Sequence, residues 1–160
     1  MTLIKVEDFS LSQTGAGQVT VGQFIGEQLN VDLSGASKLL ADNLQAKVYR
    51  FDLSGASHIK AEHLDGKKLS ANLSGASSVT VAEAGEVQTQ SIELSGSSGY
   101  KAKALQSESV EVDASGASTI ELWATAELGA KLTGSSNLRY RGTPTMAVKT
   151  SGASQITSVE

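Results

Sequence analysis

The chain has 160 residues, 39% of them hydrophobic and 4% aromatic, with a formal net charge of -4, one proline and no cysteine. Such a length supports one domain with a real core, and the lack of cysteine excludes disulfides and thiolate metal sites. Lys and Arg are interspersed with Asp and Glu without a basic run, which argues against a nucleic-acid partner, and no segment approaches the ~20 apolar residues of a membrane-spanning helix.

The N-terminal stretch MTLIKVEDFS has no apolar run of signal-peptide length. It leads into Thr14-Gly15-Ala16-Gly17, the first of eight related phrases whose glycines are Gly15, Gly35, Gly55, Gly75, Gly96, Gly116, Gly134 and Gly152. The intervals are 20, 20, 20, 21, 20, 18 and 18 residues, and a fixed period of this size is the mark of a solenoid. Four residues before each glycine stand Leu11, Val31, Phe51, Ala71, Ile92, Val112, Ala130 and Val148. Apolar residues also dominate two and six before, with polar residues such as Asp32, Asp52, Asn72 and Glu93 between. That is the period-two pattern of a strand with one buried face. A second alternating segment follows each glycine, including Val19, Leu39, Ile59, Val79, Tyr100, Ile120, Leu138 and Ile156. An apolar position nine after the glycine (Phe24, Leu44, Leu64, Ala84, Leu105) starts the return to the next unit, where the two 18-residue units lose residues. The Ser-Gly-Ala-Ser phrase is therefore a corner, with glycine accepting a positive φ and a close backbone neighbour. The following Ala is expected to point inward, and the flanking hydroxyls to bond the backbone.

Two-strand units of this size cannot stand alone. Stacked at ~4.8 Å, they predict an all-β, single-stranded, right-handed parallel β-helix of about eight coils, the handedness following that of parallel crossovers. The expected organisation is a single domain over 1–160, with an N-terminal coil or cap at 1–28, regular coils at 29–122 and shortened coils at 123–160. No helical cap is evident, so self-association through the coil ends stays open.

The pattern DLSGASKLLADNLQAK, with its SGAS corner, short alternating strand and A-x-x-L return, resembles the bacterial putative auto-transporter adhesin, head GIN domain family, over nearly the whole chain. The resemblance implies a right-handed β-helix of the cell envelope, in exported or lipid-anchored proteins whose biochemical role is largely unassigned. ANLSGAS also has the flavour of pentapeptide repeats, but the five-residue phase breaks after each corner.

His58 and His63 are the only histidines, with Glu62 and Asp65 near them in sequence; without further converging ligands they read as surface rather than as a metal site. Asp32 and Asp52 should stack one coil apart, as a carboxylate pair for acid–base chemistry or cation binding or as a solvated face, the favoured reading. Trp123 with Tyr140 and Arg141 is either a stacking platform for a sugar or peptide or, with Trp123 under the shortened loop, filling; filling is favoured. The serine ladders are explained by a tight corner without any ligand. No cofactor, metal or catalytic constellation is expected. The expectation is a non-enzymatic adhesin-like or scaffolding module, extracellular or in the cell envelope, with surface glycans or other envelope proteins as partners. The alternatives are a carbohydrate-binding or carbohydrate-acting protein and an end-to-end assembling structural protein.

Overall fold

The computed structural model describes residues 3–159. In chain order the strands are β1 (Leu3–Lys5), β2 (Asp8–Gln13), β3 (Gln18–Leu33), β4 (Lys38–Leu53), β5 (His58–Leu73), β6 (Ser78–Val81), β7 (Gly85–Leu94), β8 (Gly99–Ala114), β9 (Thr119–Leu132), β10 (Asn137–Arg141), β11 (Thr145–Thr150) and β12 (Gln155–Ser158). All pair in parallel within one continuous sheet wound into a β-solenoid of about eight turns. Among the described residues there is no α-helix, hence none long and apolar enough to cross a membrane.

The alternation predicts two strand segments and a return loop in each coil. In the structure β3, β4, β5 and β8 each run 16 residues without a break. Between-coil pairing simply continues along the return: Asn43 lies opposite His63, and Leu44 opposite Leu64. Apolar residues from both halves of each long strand meet in one core cluster, in which Leu33, Leu53, Leu73 and Leu94 form one ladder and Leu39, Ile59, Val79, Tyr100 and Ile120 another. Ala84, expected in the inward position nine after its glycine, is instead exposed, because its coil leaves β-structure at residues 82–84.

Each corner is held by three between-coil bonds of one pattern. The Ser34 N–H donates to the Gln13 carbonyl at 2.9 Å, Ala36 N–H to Gly15 at 2.7 Å and Lys38 N–H to Gly17 at 2.8 Å, and the set recurs on every coil above. The eight corner glycines have φ between 71° and 81°. The expected inward Ala is corrected: Ala36, Ala56, Ala76 and Ala117 are exposed, whereas the second serine of the motif (Ser37, Ser57, Ser77, Ser98, Ser118, Ser136) is buried. The physical reason is the strand phase, since Ser37, Leu39 and Ala41 are alternate residues on one inward face. Burial of a hydroxyl requires a partner, and it donates across its own corner, Ser37 Oγ to the Ser34 carbonyl at 2.9 Å and Ser77 Oγ to Ser74 at 2.8 Å. That ladder therefore faces no ligand.

Two tyrosines carry polar groups into the core. Tyr49 OH accepts from the Ala46 N–H at 2.8 Å and donates to the Asp65 carbonyl at 2.6 Å, tying two coils. Tyr100 OH donates to Gln90 Oε1, and Gln90 Nε2 donates to Ser107 Oγ at 2.5 Å, all three side chains being buried. Burial pushes both phenols well above the usual tyrosine range.

Candidate ligand groove

The length differences between coils are concentrated in one place. Lys101 lies opposite Glu121 and Gln106 opposite Trp123, so four residues of β8 face a single residue of β9; one residue is regained between Ser107 and Ser109. The next coil keeps the short path, with Arg139 opposite Glu121 and Arg141 opposite Trp123. The wider coil therefore overhangs two narrower ones. Lys103 and Ala104 form the ledge, and Glu121, Arg139, Arg141 and Val159 line the groove of about 490 Å³ beneath it.

The outward residues of β9 and β10 supply its chemistry by plain alternation: Glu121 and Trp123 on one strand, Arg139 and Arg141 on the next. The Arg141 guanidinium carbon sits 4.1 Å from the Trp123 ring centroid, a cation–π contact that holds the guanidinium flat. Among the described residues, no ion pair within 4.0 Å engages Lys103, Glu121, Arg139 or Arg141; the ion pairs present, such as Lys131–Asp113 at 3.8 Å, lie elsewhere. Three cations and one carboxylate thus line a single concavity on a protein of net charge -4.

Of the sequence candidates, Trp123 and Arg141 come together, with Trp123 half-buried on the outer face rather than filling space under the short loop. Tyr140 points the other way, packing against the core. Asp32 and Asp52 are paired neighbours on the opposite side of the corner, exposed in a row continued by Asn72, Glu93 and Asp113. They share a separate shallow depression of about 360 Å³ with Arg50 and Asn30. The histidines do not converge: His58 Nδ1 meets Ser78 Oγ at 2.6 Å, and His63 Nε2 meets Asp65 Oδ2 at 2.6 Å, while Glu62 pairs with Lys60 at 2.9 Å. Among the described residues no three His, Asp or Glu side chains are placed to hold a metal ion. Lys103, Glu121 and Arg139 were not among the sequence candidates; the signal that marks them is their outward position on either side of the point where the period falls from 20, in the unit of Lys103, to 18, in the units of Glu121 and Arg139.

The sequence matches the family described as "Putative auto-transporter adhesin, head GIN domain" over residues 1–84 and 40–144, two overlapping matches of the kind a repeated coil produces. The chain belongs to this family. No curated protein matches it. Among solved structures, the GIN-domain chain is similar to a "putative lipid binding protein" from Parabacteroides distasonis, with a TM-score of 0.85 at 22% identity over 94% of this chain. It spans 61% of that protein's length. It is also similar to proteins titled "putative adhesin" from Parabacteroides merdae, with a TM-score of 0.73 at 13% identity, and from Bacteroides fragilis, with a TM-score of 0.62 at 14% identity; it is covered to 100% and 99%, and covers 93% of each. At these identities the likeness concerns the fold.

Proposed function

We propose that this GIN-domain protein is a non-enzymatic, adhesin-like module of the bacterial cell envelope that holds a surface partner along its outer faces, with its strongest contact at the groove beneath Lys103. The observation that carries this reading is the groove itself: a concavity open to solvent, lined by charged side chains that, among the described residues, form no ion pair within 4.0 Å. Polar and charged rows on flat coil faces supply many weak contacts around it, and such additive contact suits adhesion. The names given to its structural relatives, adhesins and a lipid-binding protein, agree with a binding role. The test is binding of the labelled protein to an array of bacterial and host glycans and to isolated envelope proteins, beside a Trp123→Ala variant. Saturable binding that weakens in the variant is expected. Absence of binding to every glycan and envelope protein overturns the proposal.

A second reading, stacking through the coil ends, is favoured by the placement of the large exposed apolar side chains. Leu3, Val6, Met146, Val148 and Val159 all lie in the first or last described coil, where one strand edge is unpaired. Sedimentation at rising concentration decides it: a species that stays monomeric removes this reading.

A further inference from the structure

We infer that the groove beneath Lys103 takes an acidic polysaccharide, with Arg139 and Arg141 gripping its carboxylate or sulfate groups. The inference rests on the binding role proposed above and adds the chemical class of the ligand. Guanidinium forks match the planar geometry of carboxylates and the oxygens of sulfates, giving two parallel bonds to one group. Arg139 and Arg141 are alternate residues of one strand, both exposed on its outer face, so they stand about 6.5–7 Å apart along the chain. Two neighbouring anionic groups of a flexible polymer can reach both. The Trp123 ring fixes Arg141 from behind, which lowers the ordering cost of binding. Lys103 closes the groove from the ledge with a third positive charge.

The groove's form favours a polymer over a membrane surface. Among the described residues Val159 is the one large exposed apolar side chain in it, whereas lasting contact with a bilayer needs an apolar face to insert. Its volume of about 490 Å³ falls in the range of small-ligand sites, and it is open to solvent, so that one or two residues of a longer chain can occupy it. Glu121 is the internal opponent. It lies opposite Arg139 on the neighbouring strand and repels any anion that approaches.

The experiment measures binding of the intact protein to polygalacturonate, heparin, neutral dextran and vesicles of phosphatidylcholine with phosphatidylglycerol, at low and raised salt. An acidic polymer is expected to bind, neutral dextran not to bind, and binding to weaken steeply with salt. The double variant Arg139→Gln, Arg141→Gln should lose at least about tenfold in affinity. Arg141→Lys, which keeps the charge but not the fork, should lie between. Glu121→Gln should tighten binding by about threefold, a gain that generic damage to the fold does not produce. Acidic-polymer binding that ignores the double variant, or vesicle binding without polymer binding, overturns the inference. If neutral glycans or envelope proteins bind while the acidic polymers do not, the adhesin-like reading survives and this inference alone fails.

Discussion

Replacing a corner glycine by alanine separates two reasons for its presence: backbone conformation and the approach of the next coil. Gly75 has a φ of 73°, and a Cβ there would lie 2.5 Å from the Gly55 carbonyl oxygen and 3.2 Å from its nitrogen. Holding alanine in the left-handed region costs about 1–2 kcal/mol. The clash is with backbone, so it is relieved only by opening the step between coils. Opening weakens the 2.8 Å bond from Ala76 N–H to the Gly55 carbonyl, worth about 0.5–1.5 kcal/mol net, and disturbs the packing beneath it. Gly75→Ala is therefore expected to cost roughly 2–4 kcal/mol. Gly15 is the matched reference, with a φ of 81° but nothing within 4 Å of an added Cβ. Gly15→Ala should cost only the conformational part, about 1–2 kcal/mol. Urea unfolding followed by far-UV circular dichroism reads the global loss. Because an end coil of a repeat protein can fray by itself, hydrogen exchange at the Ala36 and Ala76 amides reads the local one. Equal losses at the two glycines would refute close coil approach as the reason for the motif.

The buried Tyr100–Gln90–Ser107 chain of bonds gives a coupling prediction. Tyr100→Phe strands Gln90 Oε1 and should cost about 1–3 kcal/mol, while adding Gln90→Leu should recover part of it; strictly additive losses in denaturant melts would dismiss the network. The same burial predicts alkaline sensitivity. With folded pKa values raised above the unfolded value of ~10, Tyr49 and Tyr100 remain protonated in the fold after the unfolded chain has lost its protons. Stability is therefore full below pH ~10 and falls above it, by up to about 1.4 kcal/mol per pH unit for each tyrosine. Thermal melts between pH 8 and 11.5 should show a shallower decline in Tyr100→Phe than in the parent protein, and identical slopes contradict the argument. Asn43 Oδ1 is buried without a hydrogen-bond partner among the described residues, so Asn43→Val, which also suits a strand, should stabilise by about 1 kcal/mol and raise Tm by about 2–4 °C; a lowered Tm would show that Asn43 has a role in the pairing.

The corners and the inward columns were legible because each coil repeats one geometry, so that a residue's place relative to its glycine fixes its face. What happens inside one motif was less so. Ala36 and Ser37 are both small, and only the phase of the strand that begins after the corner decides that serine goes in. Gln90 occupies a position filled elsewhere by Leu29, Tyr49 and Leu69, and its partner Tyr100 is ten residues away along the chain and on a different coil; no single column reveals that pair. Tyr140 sits in the inward column of the second segment, and its closeness in sequence to Arg141 suggested a platform that the alternation forbids. The groove was hidden for a different reason. Lys103, Glu121 and Arg139 are each ordinary outward residues of their own coils, and they become a site only through the difference in length between neighbouring coils.

That difference obeys a parity rule. A strand tolerates gain or loss of an even number of residues without exchanging its faces, whereas an odd change turns every later side chain over. The 18-residue coils differ from 20 by two, made in two odd steps, three residues lost before Trp123 and one regained before Glu127, and beside each step β8 itself breaks alternation, its successive buried residues Ala102 and Leu105, and Ser107 and Val110, standing three apart. The 21-residue interval, an odd change, is where β6 stops and β7 restarts beyond residues 82–84. The other interior interruption, before β11, lies at Pro144, which has no N–H to donate. Deleting Lys103 alone is thus expected to leave a folded solenoid, since Ala102 and Leu105 then stand two apart and both keep the inward face, and Lys103 does not belong to the core, at a cost of no more than about 1–2 kcal/mol. The ledge then shortens and loses its cation. Acidic-polymer binding should weaken while the melting profile stays cooperative. Deleting Lys103 and Ala104 together should do worse than deleting Lys103 alone, because Leu105 would then follow Ala102 directly and face outward, or force a break in β8. A double deletion more stable than the single one would show that coil length, and the groove made from it, is not governed by strand phase.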